Sequence, residues 1–125
     1  MSVRGIRGAT TIEENSADMI VESTRALVEE MATINEVDPT DIATVLISTT
    51  SDIDAVFPAK ALRSIDGWTY VPVMCMKEID VQNSLKMCIR VMMTVNSDLE
   101  QQQVNHVYHN DAKKLRPDLT HHNRQ

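Results

Sequence analysis

The clearest periodicity in this sequence runs from Ser16 to about Ile34. Ile20, Leu27, Met31 and Ile34 fall on one stripe with Thr24 and Val28 beside it, while Glu22, Arg25 and Glu29 lie on the other side. Ser16 is placed to cap this helix, and Asp18 sits in the first turn, where the positive end of the helix dipole favours an acid. The spacing predicts one long amphipathic helix built to cover a sheet. Because one helix covers one face, it limits everything else the chain can form.

The remaining apolar segments read as strands and turns. Residues 2–9 form a first strand in which Gly5 and Gly8 interrupt the alternation and let the backbone pass close to a neighbour. Residues 35–41, with Pro39 inside, make a turn leading into a strand at 43–49. Residues 57–64 form a short helix with Pro58 at its first position, putting Lys60 and Arg63 on one face. Residues 68–76 read as a strand that Pro72 confines to an edge or an irregular stretch. Residues 87–95 (MCIRVMMTV) form a strong strand, and a turn near 100–104 precedes a last strand at 105–109. The order predicts an α+β domain: a mixed sheet with one long helix on one face and short helical turns. Residues 1–115 form that single domain, and the polar residues 116–125 form a mobile tail.

A chain of 125 residues has no second layer for the sheet's other face, so that face is expected to meet other copies. No apolar run approaches the ~20 residues of a spanning helix. The aromatic residues are Phe57, Trp68, Tyr70 and Tyr108, against eight methionines, so the core is packed with aliphatic and thioether groups. The net charge of −6 disfavours a nucleic-acid partner. It is uneven: residues 1–54 carry three basic and eleven acidic side chains, residues 55–125 nine and seven. A few cations in an acidic protein suit one small anion better than a polymer. Cys75 and Cys88 lie in strands without metal-site or disulfide spacing, which fits reduced thiols in the cytoplasm.

The sharpest anomaly is Arg90. Counting by two, it shares a strand face with Cys88, Met92 and Thr94, so a guanidinium is placed among apolar groups. That is costly unless it meets a counter-ion. Either it pairs with a carboxylate such as Glu78, or it waits for a ligand. Arg7 is also strand-borne, and Arg7, Arg63, Arg90 and Lys60 could converge on a dicarboxylate, for which Arg forks are well shaped. Other candidates weaken: His121 and His122 read as polar tail, Cys75 as a packed strand residue, and Ser48 lacks a nucleophile-elbow context. The chain offers cations and a carboxylate without an evident nucleophile, metal site or cofactor site.

The segments RGIRGATT at 4–11, AVFPAKALR at 55–63, GWTYVPVMCMKEIDV at 67–81, KMCIRVMMTV at 86–95, HVY at 106–108 and LRPDL at 115–119 together closely resemble the AroH-type monofunctional chorismate mutases. The order and spacing run nearly end to end. The resemblance implies a homotrimer, a pseudo-α/β-barrel with active sites at subunit interfaces. It also implies an isomerase that takes the dianion chorismate to prephenate, on the way to phenylalanine and tyrosine, by an intramolecular [3,3] rearrangement without cofactor or metal.

By motif position, Arg90 would donate to the ether oxygen, Arg7 would bind the side-chain carboxylate, and Glu78 would accept from the ring hydroxyl. Phe57, Ala59, Val73, Met74 and Cys75 would line the ring. Tyr108, Lys60, Arg63 and Arg116 would meet or attract the carboxylates, with Leu115 and Arg116 closing over the ligand. Met74 stands where relatives are expected to carry a small polar residue. The competing expectation is a related trimeric fold that binds small carboxylates as a sensor or acts on reactive imines.

Overall fold

The computed structural model describes residues 1–115. The expected tail at 116–125, and with it Arg116, lies outside the described residues. Strand β1 (Ser2–Thr11) leads into helix α1 (Ala17–Ile34), then β2 (Ile42–Thr49), the short α2 (Lys60–Arg63), β3 (Val73–Lys77), β4 (Cys88–Ser97) and β5 (Val107–Tyr108). They form one mixed sheet in the order β3-β2-β4-β1-β5. β4 runs antiparallel to both β1 and β2, whereas the edge strands β3 and β5 run parallel to their neighbours.

Ser16 caps α1 as expected, with extended backbone angles and its Oγ accepting from Met19 N–H at 3.2 Å. The helix buries Ile20, Thr24, Leu27, Val28, Met31 and Ala32, and Arg25 pairs with Glu29 at 3.0 Å on the solvent side. Ile34, expected on the buried stripe, is exposed because the helix ends there. Gly8 explains how closely α1 approaches: a Cβ at this position would stand 2.3 Å from Met31 Sδ and 3.2 Å from Leu27 Cδ1. Opposite the helix the sheet contributes Ile6, Val45, Ile47, Ile89, Val91, Met93 and Val95, all buried.

Three boundaries differ from expectation. Trp68 belongs to a turn, with its N–H on Ile65 O, and its ring is buried; the strand starts after Pro72, on an edge where a missing N–H is tolerated. Pro58 stands in the turn before α2 rather than at its first position, its carbonyl accepting from Ala61 N–H. The last strand keeps two residues, Val107 and Tyr108.

Among the described residues, no helix lies over the sheet's second face. Val3, Leu46, Met74, Met76 and Met92 are exposed there in the single chain. Arg90 belongs to this face too, so its guanidinium is half exposed rather than buried among apolar groups. Strand parity located it correctly, but burial depends on which face the helix takes. Cys88, at the strand's start, is buried beneath the 50–52 turn, where its N–H meets Thr50 Oγ1 at 3.0 Å.

Candidate active site

The register of four strands brings the charged residues together on the open face. Arg7 of β1 stands opposite Met92 of β4, and Ala9 opposite Arg90. Ser48 of β2 is the other cross-strand neighbour of Arg90. Ser48 also lies beside Met76 of β3, and just past that strand the Glu78 N–H still bonds Thr49 O at 2.8 Å. Ala9 has no bulk to block the space between Arg7 and Arg90. Glu78 is turned towards the sheet: its Oε2 accepts from Ser48 Oγ at 2.8 Å and lies 3.5 Å from Arg90 Nη1.

These groups line a hollow of about 410 Å³. Arg7 and Arg90 are its cations and Glu78 its carboxylate. Leu46, Met76 and Met92 give an apolar floor, and Tyr108 and Leu115 stand at the far side. Tyr108 is buried in a small cluster with Ala9 and Ala112, against which Leu85 and Leu115 pack. Arg7 is fixed through its backbone, whose N–H donates to His106 Nδ1 at 2.9 Å. Two cations and a hydrogen-bonded carboxylate on an apolar floor can bind a small dianion and stabilise charge separating across it. They offer no activated nucleophile.

The other expected site residues lie elsewhere in the same chain. Phe57 and Cys75 line a separate concavity of about 770 Å³ next to β3, and Met76 borders both spaces. Ala59 is beside Cys75, with its backbone hydrogen-bonded to the sulfur. Burial pushes the Cys75 thiol up, partly offset by that hydrogen bond, which argues against a thiolate nucleophile. Lys60 and Arg63 are exposed on α2, Val73 is half-buried, and Met74 and Phe57 are exposed. None of these seven residues lines the hollow of Arg7 and Arg90.

Two neighbours of the charged groups escaped the sequence reading. Ser48 was set aside for lacking a nucleophile context, yet it holds Glu78. His106 carries no motif of its own in the sequence, yet its Nδ1 holds the Arg7 N–H. Strand alternation alone could not find them, since their significance depends on which strands are neighbours.

Comparison with known proteins assigns this arrangement to a family. The family model Chorismate mutase type I matches residues 3–119. The chain belongs to this family. It is 51% identical over 120 residues to chorismate mutase AroH of Bacillus subtilis (strain 168), covering 96% of this chain and 94% of that protein. It is 42% identical over 118 residues to chorismate mutase AroH of Thermus thermophilus, covering 94% and 96% respectively. Among solved structures, a chorismate mutase from Clostridium thermocellum superposes with a TM-score of 0.85 at 50% identity, covering 88% of this chain and 97% of that one.

Proposed function

We propose that this chain is an isomerase that converts chorismate to prephenate, in a site completed by a neighbouring copy. The observation that carries the activity is membership of the chorismate mutase type I family across residues 3–119. The hollow holding Arg7, Arg90 and Glu78 supplies the chemistry.

The rearrangement breaks an ether C–O bond and forms a C–C bond within one molecule, so no proton needs to move. The protein must select the compact chair-like conformer of a dianion and stabilise the charge that separates as the ether opens. In this scheme Arg90 donates to the ether oxygen as negative charge grows on it. Arg7 holds the adjacent side-chain carboxylate, and Tyr108 reaches a substrate carboxylate. Glu78 accepts from the ring hydroxyl and offsets positive charge on the ring, oriented by the Ser48 hydroxyl 2.8 Å away.

The divided site supports assembly as a homotrimer. Phe57, Ala59, Lys60, Arg63, Val73, Met74 and Cys75 do not line the charged hollow of their own chain, and a second copy would bring them to the substrate held there. The uncovered face with Leu46, Met74 and Met92 gives the copies apolar surface to bury. Leu115 and Arg116 would then close over the ligand. The cysteines Cys75 and Cys88 are free thiols, as suits a cytoplasmic enzyme of aromatic amino-acid biosynthesis.

The test follows the loss of chorismate absorbance in the presence of purified protein of known oligomeric state. Acceleration with saturation by chorismate is expected. A folded, trimeric sample that does not accelerate the reaction sinks the enzyme reading and leaves a carboxylate-binding trimer.

A further inference from the structure

Arg7 is held by a hydrogen bond that ordinary sheet pairing does not supply. In the parallel β1/β5 pair, Gly8 faces Val107 and Ala9 faces Tyr108, and His109 N–H donates to Ala9 O at 2.9 Å. One ladder step earlier, the acceptor for Arg7 N–H would be the Asn105 carbonyl. That carbonyl is already engaged. Asn35, buried at the end of α1, donates from Nδ2 to Asn105 O at 2.8 Å and accepts from Asn105 N–H at 2.7 Å. The same Nδ2 donates to Met31 O at 2.8 Å, which ties the clamp to the helix. β5 is thus drawn toward α1 one residue too early for the ladder, and the His106 imidazole fills the gap, Nδ1 accepting from Arg7 N–H at 2.9 Å.

We propose that His106 is a positioning residue: its neutral ring, protonated at Nε2, holds the Arg7 backbone so that the guanidinium points correctly into the charged hollow. The proposal rests on the reading that Arg7 binds a substrate carboxylate. A backbone N–H can only donate, so Nδ1 must carry the lone pair, and an imidazolium, with both nitrogens protonated, cannot make this bond. Protonation therefore releases the Arg7 segment at the sheet edge, and small misplacements of a binding group are costly in rate.

Among the described residues, the cavity beside His106 is lined by Val3, Arg4, Gly5 and Arg7 from β1, Met92 from β4, and the neutral Gln101 and Gln102 from the turn before β5, so its charged members are Arg4 and Arg7. Arg4 is itself committed, its Nε donating to Leu99 O at 2.7 Å. From α1 the neutral Asn35 packs against Asn105, and Glu30 pairs with His109 at 3.3 Å, three residues further along.

The test combines a direct and a kinetic measurement on the full chain. Nitrogen-15 NMR of the labelled imidazole at neutral pH is expected to show Nε2 protonated and Nδ1 unprotonated. His106→Leu, which removes the acceptor, is expected to lower kcat/KM for chorismate about tenfold, equivalent to ~1.4 kcal/mol. His106→Asn, whose Oδ1 can take the place of Nδ1, is expected to retain kcat/KM within about threefold, since a neutral hydrogen bond can be restored there. The wild type is expected to lose kcat/KM at the acid pH where the ring takes up a second proton, and His106→Asn to lack that acid limb. If the Leu variant does not fold, the tautomer and the pH profile of the Asn variant still decide. A proton on Nδ1, an unimpaired Leu variant, or an Asn variant that is as poor as Leu or keeps the acid limb would each overturn the positioning role. A wild type inactive on chorismate refutes the proposed activity instead, and the NMR result still decides whether the bond exists.

Discussion

Removing the Arg90 guanidinium separates what this side chain does for the fold from what it does for the reaction. In the structure its partner is Glu78, with Nη1 and Oε2 3.5 Å apart and the two side chains 52% and 24% exposed. An ion pair reached by solvent to this degree contributes at most ~1 kcal/mol. Arg90→Ala should therefore lower the melting midpoint by no more than about 6 °C, the shift expected of such a loss in a domain of this size. The cost in rate is of another order. A donor aimed at charge that develops only in the transition state, in a site that a second copy would close to water, lowers the barrier by ~3–4 kcal/mol, a factor of about 10² to 10³ in kcat. Two measurements are needed: a thermal melt followed by circular dichroism, and kcat and KM from loss of chorismate absorbance. The expected result is a folded protein with kcat reduced by about 10² or more. Arg90→Lys keeps the charge but loses the planar fork, and is expected to remain at least about tenfold impaired. A folded Arg90→Ala or Arg90→Lys protein with near-normal kcat would refute a forked donor at the ether oxygen.

Ser48→Ala leaves Glu78 without its 2.8 Å donor and should lower kcat/KM about ten- to a hundredfold, the range of one hydrogen bond to a charged group, with little change in the melt; unaltered kinetics would show that Glu78 needs no such support. Gly8→Ala would press a methyl group against the fully buried Met31, and should cost ~1–3 kcal/mol in denaturant unfolding, whereas an unchanged midpoint would mean that Met31 can repack. Burial pushes the Cys88 thiol from 9.0 up to about 11, opposed by the nearby Arg90 charge. Since the unfolded thiol ionises first, its contribution is complete below about pH 9 and is lost as the pH climbs towards about 11. Cys88→Ala should accordingly flatten the alkaline part of the stability curve, and an identical slope in variant and wild type would contradict the shift.

What could be read from the residues depended on whether the relevant physics was local. The α1 cap, the stripe from Ile20 to Met31 and the close approach at Gly8 follow from neighbouring positions, and they stand in the structure as expected. Strand parity likewise placed Arg90, Met92 and Thr94 on one face. Parity does not say which face the helix covers, so Arg90 was expected among buried groups and is instead half exposed. The shortening of β5 was invisible for a related reason. Asn35 and Asn105 are 70 positions apart, and nothing in either segment alone announces that one would clamp the other. Ser48 belongs to the same class, because its importance appears only once β2 is known to lie between β3 and β4.

An open apolar face and a site without a nucleophile have a common physical explanation under the proposed function. Catalysis that relies on charged donors alone loses most of its strength in water, where the interaction between two charges at contact falls to ~1 kcal/mol. The hollow of Arg7, Arg90 and Glu78 lies on the face opposite α1, and among the described residues there is no second helix of comparable size to lay over it. A second copy docking on Leu46, Met74 and Met92 would bury apolar surface and exclude water from the same hollow in one step. It would also bring Phe57, Lys60, Arg63 and Cys75, which do not line the hollow of their own chain, to the substrate held by Arg7 and Arg90 of another. On this account assembly and catalysis draw on one surface. A substitution that weakens the contact between copies should therefore reduce turnover even when every charged residue is intact.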